Sequence, residues 1–460
     1  MELPAGWVSA TLGDVADWGS GGTPKSGVSD YYGGDIPWVV SGDLNDKTIH
    51  SATSTITSDG LNSSSAKWVP EGSVLVAMYG ATIGKLGITG RPLTTNQAVA
   101  FASPYQNLID KRFLFWYLRS QRDALRKTGK GGAQPNISQT ILKAWPIPVP
   151  PLAEQHRIVE VLENHLSRLD AAEDLLLLAH GRSKQLVQRF ITRQLENAPV
   201  RLLRDLLEAP LINGRSVPSE EGGFPVLRLT ALKTTALNLA ARKEGRWSAE
   251  DAAPFLVAKG DFFVSRGNGS RSLVGRGALL DRVPAEPVAF PDTMIRIRAN
   301  SSTILPGFLQ AVWDCHSVRQ HIETSARTTA GIYKINQSIL GRTPILLPPL
   351  EEQRSILTQL DTLLPPLERA QQGIAQTRAR GGHLRASLLN CAFSGRLVPQ
   401  DPTDEPASVL LDRIRVEREA QGGKVKRGTR RPRKAAEPAP PPAPASTPSP
   451  AHAVQQELPL

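Results

Sequence analysis

The feature that most constrains this chain is that it repeats itself once. Ile137-Ser-Gln-Thr-Ile-Leu142 returns 198 positions later as Ile335-Asn-Gln-Ser-Ile-Leu340. The same offset carries Pro146 onto Pro344, Pro150-Pro151-Leu152 onto Pro348-Pro349-Leu350, Glu154-Gln155 onto Glu352-Gln353, Ile158 onto Ile356 and Leu162 onto Leu360. Earlier in each half, Gly34, Pro37, Gly72 and Val76 reappear at an offset of 188 as Gly222, Pro225, Gly260 and Val264. Solenoid repeats recur every ~20–50 residues, so this period describes two homologous modules instead. A chain of 460 residues accommodates them, since one core rarely grows past ~250–300 residues.

Each module reads as a β-rich globule, which makes the fold class α+β. In the first, Ile36–Val40, Ser73–Met78 and Gln97–Phe101 are short apolar runs bounded by turn residues. In the second, Val226–Thr230, Asp261–Val264 and Met294–Arg298 take that part. A helix is expected near the end of each, over Arg112–Lys127 and Leu305–Thr324.

Both modules end in a proline cluster, Pro146–Pro151 and Pro344–Pro349, which sets an extended exit followed by a helix start. From Leu152 to about Asn197, Ile158, Leu162, Leu166, Leu169 and Leu176 follow a three-and-four spacing, as do Ile356, Leu360 and Leu364 in the second copy. The spacing predicts two long amphipathic helices, the second kinked or frayed at Pro365-Pro366 and Gly381-Gly382. With a local twofold between the halves, the helices would pair as an antiparallel coiled coil holding the globules at its ends. The competing expectation is that each helix folds back as core of its own globule. The divisions expected are 1–150 and 199–348 for the modules, 151–198 and 349–397 for the helices, 398–423 for a C-terminal segment near the first module, and 424–460 for a tail.

Catalytic motifs fail one by one. Gly19-Ser-Gly-Gly-Thr-Pro-Lys-Ser26 resembles a phosphate loop, but Pro24 stands where the second glycine belongs and lacks an N–H. Gly80-Ala-Thr-Ile-Gly84-Lys85 is followed by Leu86 where a Ser or Thr would bind magnesium. The eight histidines lack metal-site spacing, and the two cysteines, Cys315 and Cys391, form no zinc motif. No metal and no catalytic residue is expected. The start reads as no secretory leader and no apolar run reaches the ~20 residues of a membrane span, so a cytoplasmic chain is expected, without membrane contact.

Polar, glycine-bearing loops recur at corresponding places in the two modules. The candidate DNA-binding residues of the first are Ser20, Thr23, Lys25, Ser41, Asn45, Tyr79, Thr82, Lys85, Asn96, Gln97, Lys130 and Gln134. Those of the second are Asn213, Arg215, Arg228, Lys233, Arg266, Asn268, Ser270, Arg271, Arg276 and Arg327. Arg, Lys, Asn and Gln make bidentate contacts with base edges, and glycines let a backbone approach phosphates. Taken singly, any such loop could simply connect strands; two similar frameworks with different loop chemistry could read two half-sites. The alternative is a coiled-coil adaptor whose β-rich domains bind protein or carbohydrate.

With Leu3-Pro-Ala-Gly-Trp7, Ile36-Pro-Trp38, Tyr79–Gly84, Thr95-Asn-Gln97, the twin Pro-Pro-Leu-x-Glu-Gln junctions and the stretch Ala392–Leu411, the sequence resembles the specificity subunits of Type I restriction-modification enzymes. The resemblance implies two target-recognition domains reading an asymmetric bipartite duplex DNA, with the helices as a ruler for the spacer. It implies a non-catalytic chain assembled with two adenine-N6 methyltransferase subunits and with translocase-nuclease restriction subunits. S-adenosylmethionine, ATP and magnesium then belong to those partners, and this chain binds no cofactor. Asn213-Gly-Arg215 and Arg266-Gly-Asn-Gly269 depart from the first module's loops, as differing half-sites require.

Charge localises less than it first suggests. The net +11 includes a tail, 424–460, whose seven basic and two acidic residues give +5, leaving +6 on the 423 residues before it. That tail, basic and then Pro- and Ala-rich, has the composition of a disordered segment.

Overall fold

The computed structural model describes residues 3–129, 136–232, 236–329 and 331–422. Lys130, Gln134, Lys233 and the tail from 424 lie outside the described residues. The chain divides into two compact units, one made of the residues up to Ile158 with those from Phe393 onward, the other Val159–Ala392. The boundaries fall inside the two long helices, where the sequence places separate modules and helices.

In the first unit, β1 (Ala16–Ser20), β2 (Lys47–Ile49), β3 (Val74–Ala77), β4 (Leu86–Thr89) and β5 (Val99–Pro104) form a sheet in the order β1-β5-β3-β4-β2. Central β3 is buried at every position, which is why its sequence is continuously apolar and not alternating. Phe113, Leu114, Phe115, Tyr117 and Leu118 bury one face of the helix Lys111–Ser120, and Asp110 caps it by accepting from the Arg112 and Phe113 N–H groups at 2.8 and 2.9 Å. The helix expected over Arg112–Lys127 is two helices, Lys111–Ser120 and Arg122–Thr128, meeting at Gln121.

Both ends of the described chain close on this unit. Val8–Thr11 pairs antiparallel with Pro146–Val149, the Ala407 N–H donates to the Gly6 carbonyl at 3.0 Å, and Arg157 meets Asp404 at 2.6 Å. Phe393 stands edge-on to Phe113 and Tyr117, with ring centres 5.3 and 5.2 Å apart.

The second unit repeats the plan. Its β6 (Leu207–Asn213), β7 (Asp261–Ser265), β8 (Gly277–Leu279) and β9 (Met294–Ala299) run in the order β6-β9-β7-β8, the arrangement of β1-β5-β3-β4. Val200–Leu202 pairs with Pro344–Leu346 as Val8–Thr11 does with Pro146–Val149. The strand expected over Val226–Thr230 is Ser219–Leu227, and the chain then turns into a short 3-10 helix, Leu229–Leu232. The expected Leu305–Thr324 helix is divided into Pro306–Trp313 and His316–Ser325.

The long helices are Leu152–Gln194 and Leu350–Phe393. Where both lie in the second unit they run antiparallel: Arg385 pairs with Asp170 and, at 3.2 Å, with Glu173, Arg378 meets Glu173 at 3.3 Å, and Gln371 donates to Ser183 at 3.2 Å. Ile158, Leu162, Leu166, Ile356 and Leu360 are buried, while Leu169, Leu176 and Leu364 are only half-buried. Ile356 and Leu360 pack with Ile191 and Leu195 of the other helix end and with module residues such as Phe308 and Leu309, so here the helix pair merges into the module core. A helix of 43 residues, at ~1.5 Å per residue, outruns the width of a module, which can enclose only its terminal turns. Pro365-Pro366 and Gly381-Gly382, where a kink or fraying is expected, lie within the unbroken helix Leu350–Phe393. The prolines and residues 361 and 362 are exposed, so the carbonyls deprived of partners can be hydrated.

Candidate nucleic-acid interface

In the first unit, backbone pairing gathers four candidate loops onto one surface. The Gly22 N–H donates to the Thr95 carbonyl, the Asn96 N–H to Val39 and the Met78 N–H to Ala98, at 2.9 to 3.0 Å, while Tyr79 bridges to Asn136. Ser20 lies at the end of β1 opposite Ala100. Thr23 and Gln97, both exposed, hydrogen-bond side chain to side chain, and Lys25 is exposed beside them in sequence. Ser41 opens a short turn, and exposed Asn45 donates to the Asp43 carbonyl at 3.2 Å. Tyr79 is 42% exposed. Thr82 donates to the Tyr79 carbonyl at 2.8 Å, and Asn96 accepts the Ala98 N–H at 3.1 Å.

Gly21 and Gly22 are required by close packing against the protein itself. A Cβ on Gly21 would sit 1.8 Å from the Thr95 carbonyl oxygen, and one on Gly22 2.4 Å from the Ala66 nitrogen. The Trp38 indole also donates to the Gly22 carbonyl at 3.0 Å. These glycines let the loop lie against protein backbone.

In the second unit the candidates spread further. Ser265, Asn268 and Arg276 line a cleft of about 320 Å³ with Leu229, Thr230, Leu232 and Leu273. Asn268 accepts the Ser270 N–H at 3.0 Å, closing a tight turn. Arg271 is held by the Glu323 carbonyl at 2.7 Å and lies 5.9 Å from the centre of the Tyr333 ring. The Arg266 backbone joins the Thr293 carbonyl and the Ile335 N–H. Arg327 begins the edge strand of the three-stranded sheet that contains Gly267–Asn268. Asn213 ends β6 half-buried, and the exposed Arg215 lies 4.0 Å from Asp251. Arg228 lies apart, in a cleft of about 700 Å³ whose Arg242, Lys243, Glu220, Glu244 and Glu286 mix both charges.

Several positioning residues carried no sequence signal, because their partners are backbone carbonyls far along the chain. Arg122 donates to the Gly84 carbonyl at 2.7 Å while pairing with Asp46, and Arg126 donates to Ile83 at 3.1 Å. In the second unit Arg319 donates to the Ser272 and Val274 carbonyls at 3.2 and 2.9 Å. Burial pushes the Cys315 thiol up to about 11, far from the thiolate a nucleophile needs. Among the described residues no His, Cys, Asp and Glu cluster could hold a metal, and no helix is long and apolar enough to cross a membrane.

Fold and loops together define one framework built twice, with loop chemistry that differs between the copies. Residues 4–176 match the family described as Type I restriction modification DNA specificity domain. The EcoKI specificity subunit of Escherichia coli strain K12 is 25% identical, with 92% of this chain and 98% of that one aligned. The StySPI specificity subunit of Salmonella potsdam is 24% identical with the same coverage. A chain from a structure described as the basis of complex assembly and conformational transition of the type I R-M system shares the fold, with a TM-score of 0.64 at 21% identity over 86% of this chain and all of that one. Over residues 4–176 the chain thus resembles the Type I DNA specificity domain, and over most of its length it is similar to Type I specificity subunits.

Proposed function

We propose that this chain selects the DNA sequence on which a Type I restriction-modification enzyme acts, reading an asymmetric bipartite duplex with one half-site per module. The observation that carries this is the pairing of one framework with two sets of loops. The Ile137 N–H donates to the Met78 carbonyl in one unit, as the Ile335 N–H does to Arg266 in the other, both at 2.9 Å. The neighbouring side chains are Tyr79, Thr82 and Gln97 in the first and Asn268 and Arg271 in the second. Arg, Asn and Gln discriminate bases in the major groove, each bidentate pair contributing ~1–3 kcal/mol.

Two adenine methyltransferase subunits and the restriction subunits supply the chemistry, with S-adenosylmethionine, ATP and magnesium on those partners, in the cytoplasm. The paired helices set the spacer between half-sites. Mapping methylated adenines in genomic DNA from cells with and without the chain tests this. A bipartite motif present only with the chain is expected. No such motif, together with duplex binding that is weak and indifferent to salt, would instead favour an adaptor of protein or carbohydrate.

A further inference from the structure

The loop that follows the central strand ends the same way in both units, although nothing else in it is shared. In the first, the Ala77 N–H donates to the Lys85 carbonyl and the Gly84 N–H to the Ala77 carbonyl, at 2.9 and 3.0 Å. In the second, the Ser265 N–H donates to Arg276 and the Gly275 N–H to Ser265, at 2.8 and 3.0 Å. Gly84 and Gly275 both have positive φ, 76° and 71°, where a side chain would be strained. Each glycine carbonyl is held by a nitrogen from the helical layer, Arg122 Nε at 2.7 Å and Trp313 Nε1 at 2.9 Å. The strand registers Val76 to Leu86 and Val264 to Gly277 make the second loop three residues longer. Lys85 and Arg276 are thus structural equivalents at the end of loops that differ in length and composition. Neither forms an ion pair among the described residues, whereas Arg215 lies near a carboxylate and Arg271 donates to a backbone carbonyl.

Resting on the DNA-reading assignment, we infer that Lys85 and Arg276 are the matched phosphate contacts of the two modules, each anchoring its half-site through the DNA backbone regardless of base sequence. A group kept where the rest of the loop changes must meet what two different half-sites have in common, and that is the phosphodiester. The exchange of Lys for Arg points the same way. A guanine edge distinguishes the planar fork of Arg from the point charge of Lys, whereas either cation neutralises a phosphate.

The test uses the full chain, a labelled duplex carrying its motif, and the variants Lys85→Gln, Arg276→Gln and both together. The slope of log affinity against log salt is expected to become shallower by ~0.9 for each single variant and ~1.8 for the double. The bases selected from a randomised duplex pool are expected to stay unchanged at both half-sites. Lys85→Arg and Arg276→Lys should keep the original slope, which separates lost charge from a damaged loop. An unchanged slope in the Gln variants, or a changed base preference at one half-site, would overturn the assignment. If the unaltered chain selects no motif and shows no salt dependence, the DNA-reading assignment fails along with it.

Discussion

Gln155 and Gln353 stand 198 positions apart and make the same three hydrogen bonds, each within its own unit. Gln155 accepts the Asp110 N–H at 2.8 Å and donates to the Leu108 and Pro150 carbonyls at 2.8 and 2.9 Å. Gln353 accepts the Leu305 N–H at 2.9 Å and donates to Thr303 and Pro348 at 3.0 and 2.9 Å. Both side chains are wholly buried. Each ties the first turn of a long helix to the segment that starts its module's own helix.

Replacing either glutamine by alanine strands a buried N–H and two carbonyls. Gln155→Ala is expected to lower the stability of the first unit by ~2–4 kcal/mol, and Gln353→Ala that of the second. Hydrogen exchange should quicken around residues 108–110 in one variant and 303–305 in the other. Equal protection in both would show that water or neighbouring groups replace these bonds.

Asn268 closes its turn on Ser270 beside the cleft that Arg276 lines. Asn268→Ala is expected to change the preferred base at one half-site and leave the other untouched, with ~1–3 kcal/mol of discrimination lost there. Sequencing of methylated motifs reads this directly. Equal loss at both half-sites would point to impaired folding or assembly.

Arg385 meets both Asp170 and Glu173 across the helix pair. The acidic groups are well exposed, so the coupling in a double-mutant cycle of Arg385→Ala with Glu173→Ala is expected to be only ~0.5–1 kcal/mol. It should vanish near 1 M salt, where the screening length is ~3 Å. A salt-independent coupling would mean that packing, not charge, joins these residues.

Glu154 is buried, accepts from the Trp7 indole at 3.0 Å and is approached by Gln400 at 3.4 Å. Burial raises its carboxyl above the ordinary 4.5, against the opposing pull of those hydrogen bonds and Arg157. A raised acid binds its proton more tightly when folded, so its contribution to stability is present below 4.5 and declines as the pH rises through the folded value. Glu154→Gln is expected to flatten that decline in denaturation curves taken from pH 4 upward. An identical pH dependence in the variant would remove Glu154 as its source.

Glu352, the copy of Glu154, is exposed. The difference was invisible in the duplicated motif, because it comes from Trp7 and Gln400, which reach Glu154 from far along the chain. Likewise the Pro-Pro-Leu-x-Glu-Gln junction was legible as a repeat, but the reason for its glutamine lies in carbonyls 47 and 50 residues upstream. The leucine stripe was also legible, since helical periodicity is local. Which leucines it buries was not: Leu360 enters a module core, whereas Leu175 remains 67% exposed.

The amino-acid sequence by itself determined the duplication, the apolar strands and the two long helices, because each is written in local patterning or in identities at a constant offset. Tertiary structure alone decided that Gly21 and Gly22 serve a backbone contact and that Lys85 and Arg276 are equivalents across loops of unequal length. It also decided that the helix ends belong to module cores. Those outcomes depend on which distant carbonyls and side chains close around a residue, and pairing across space leaves no period in the chain.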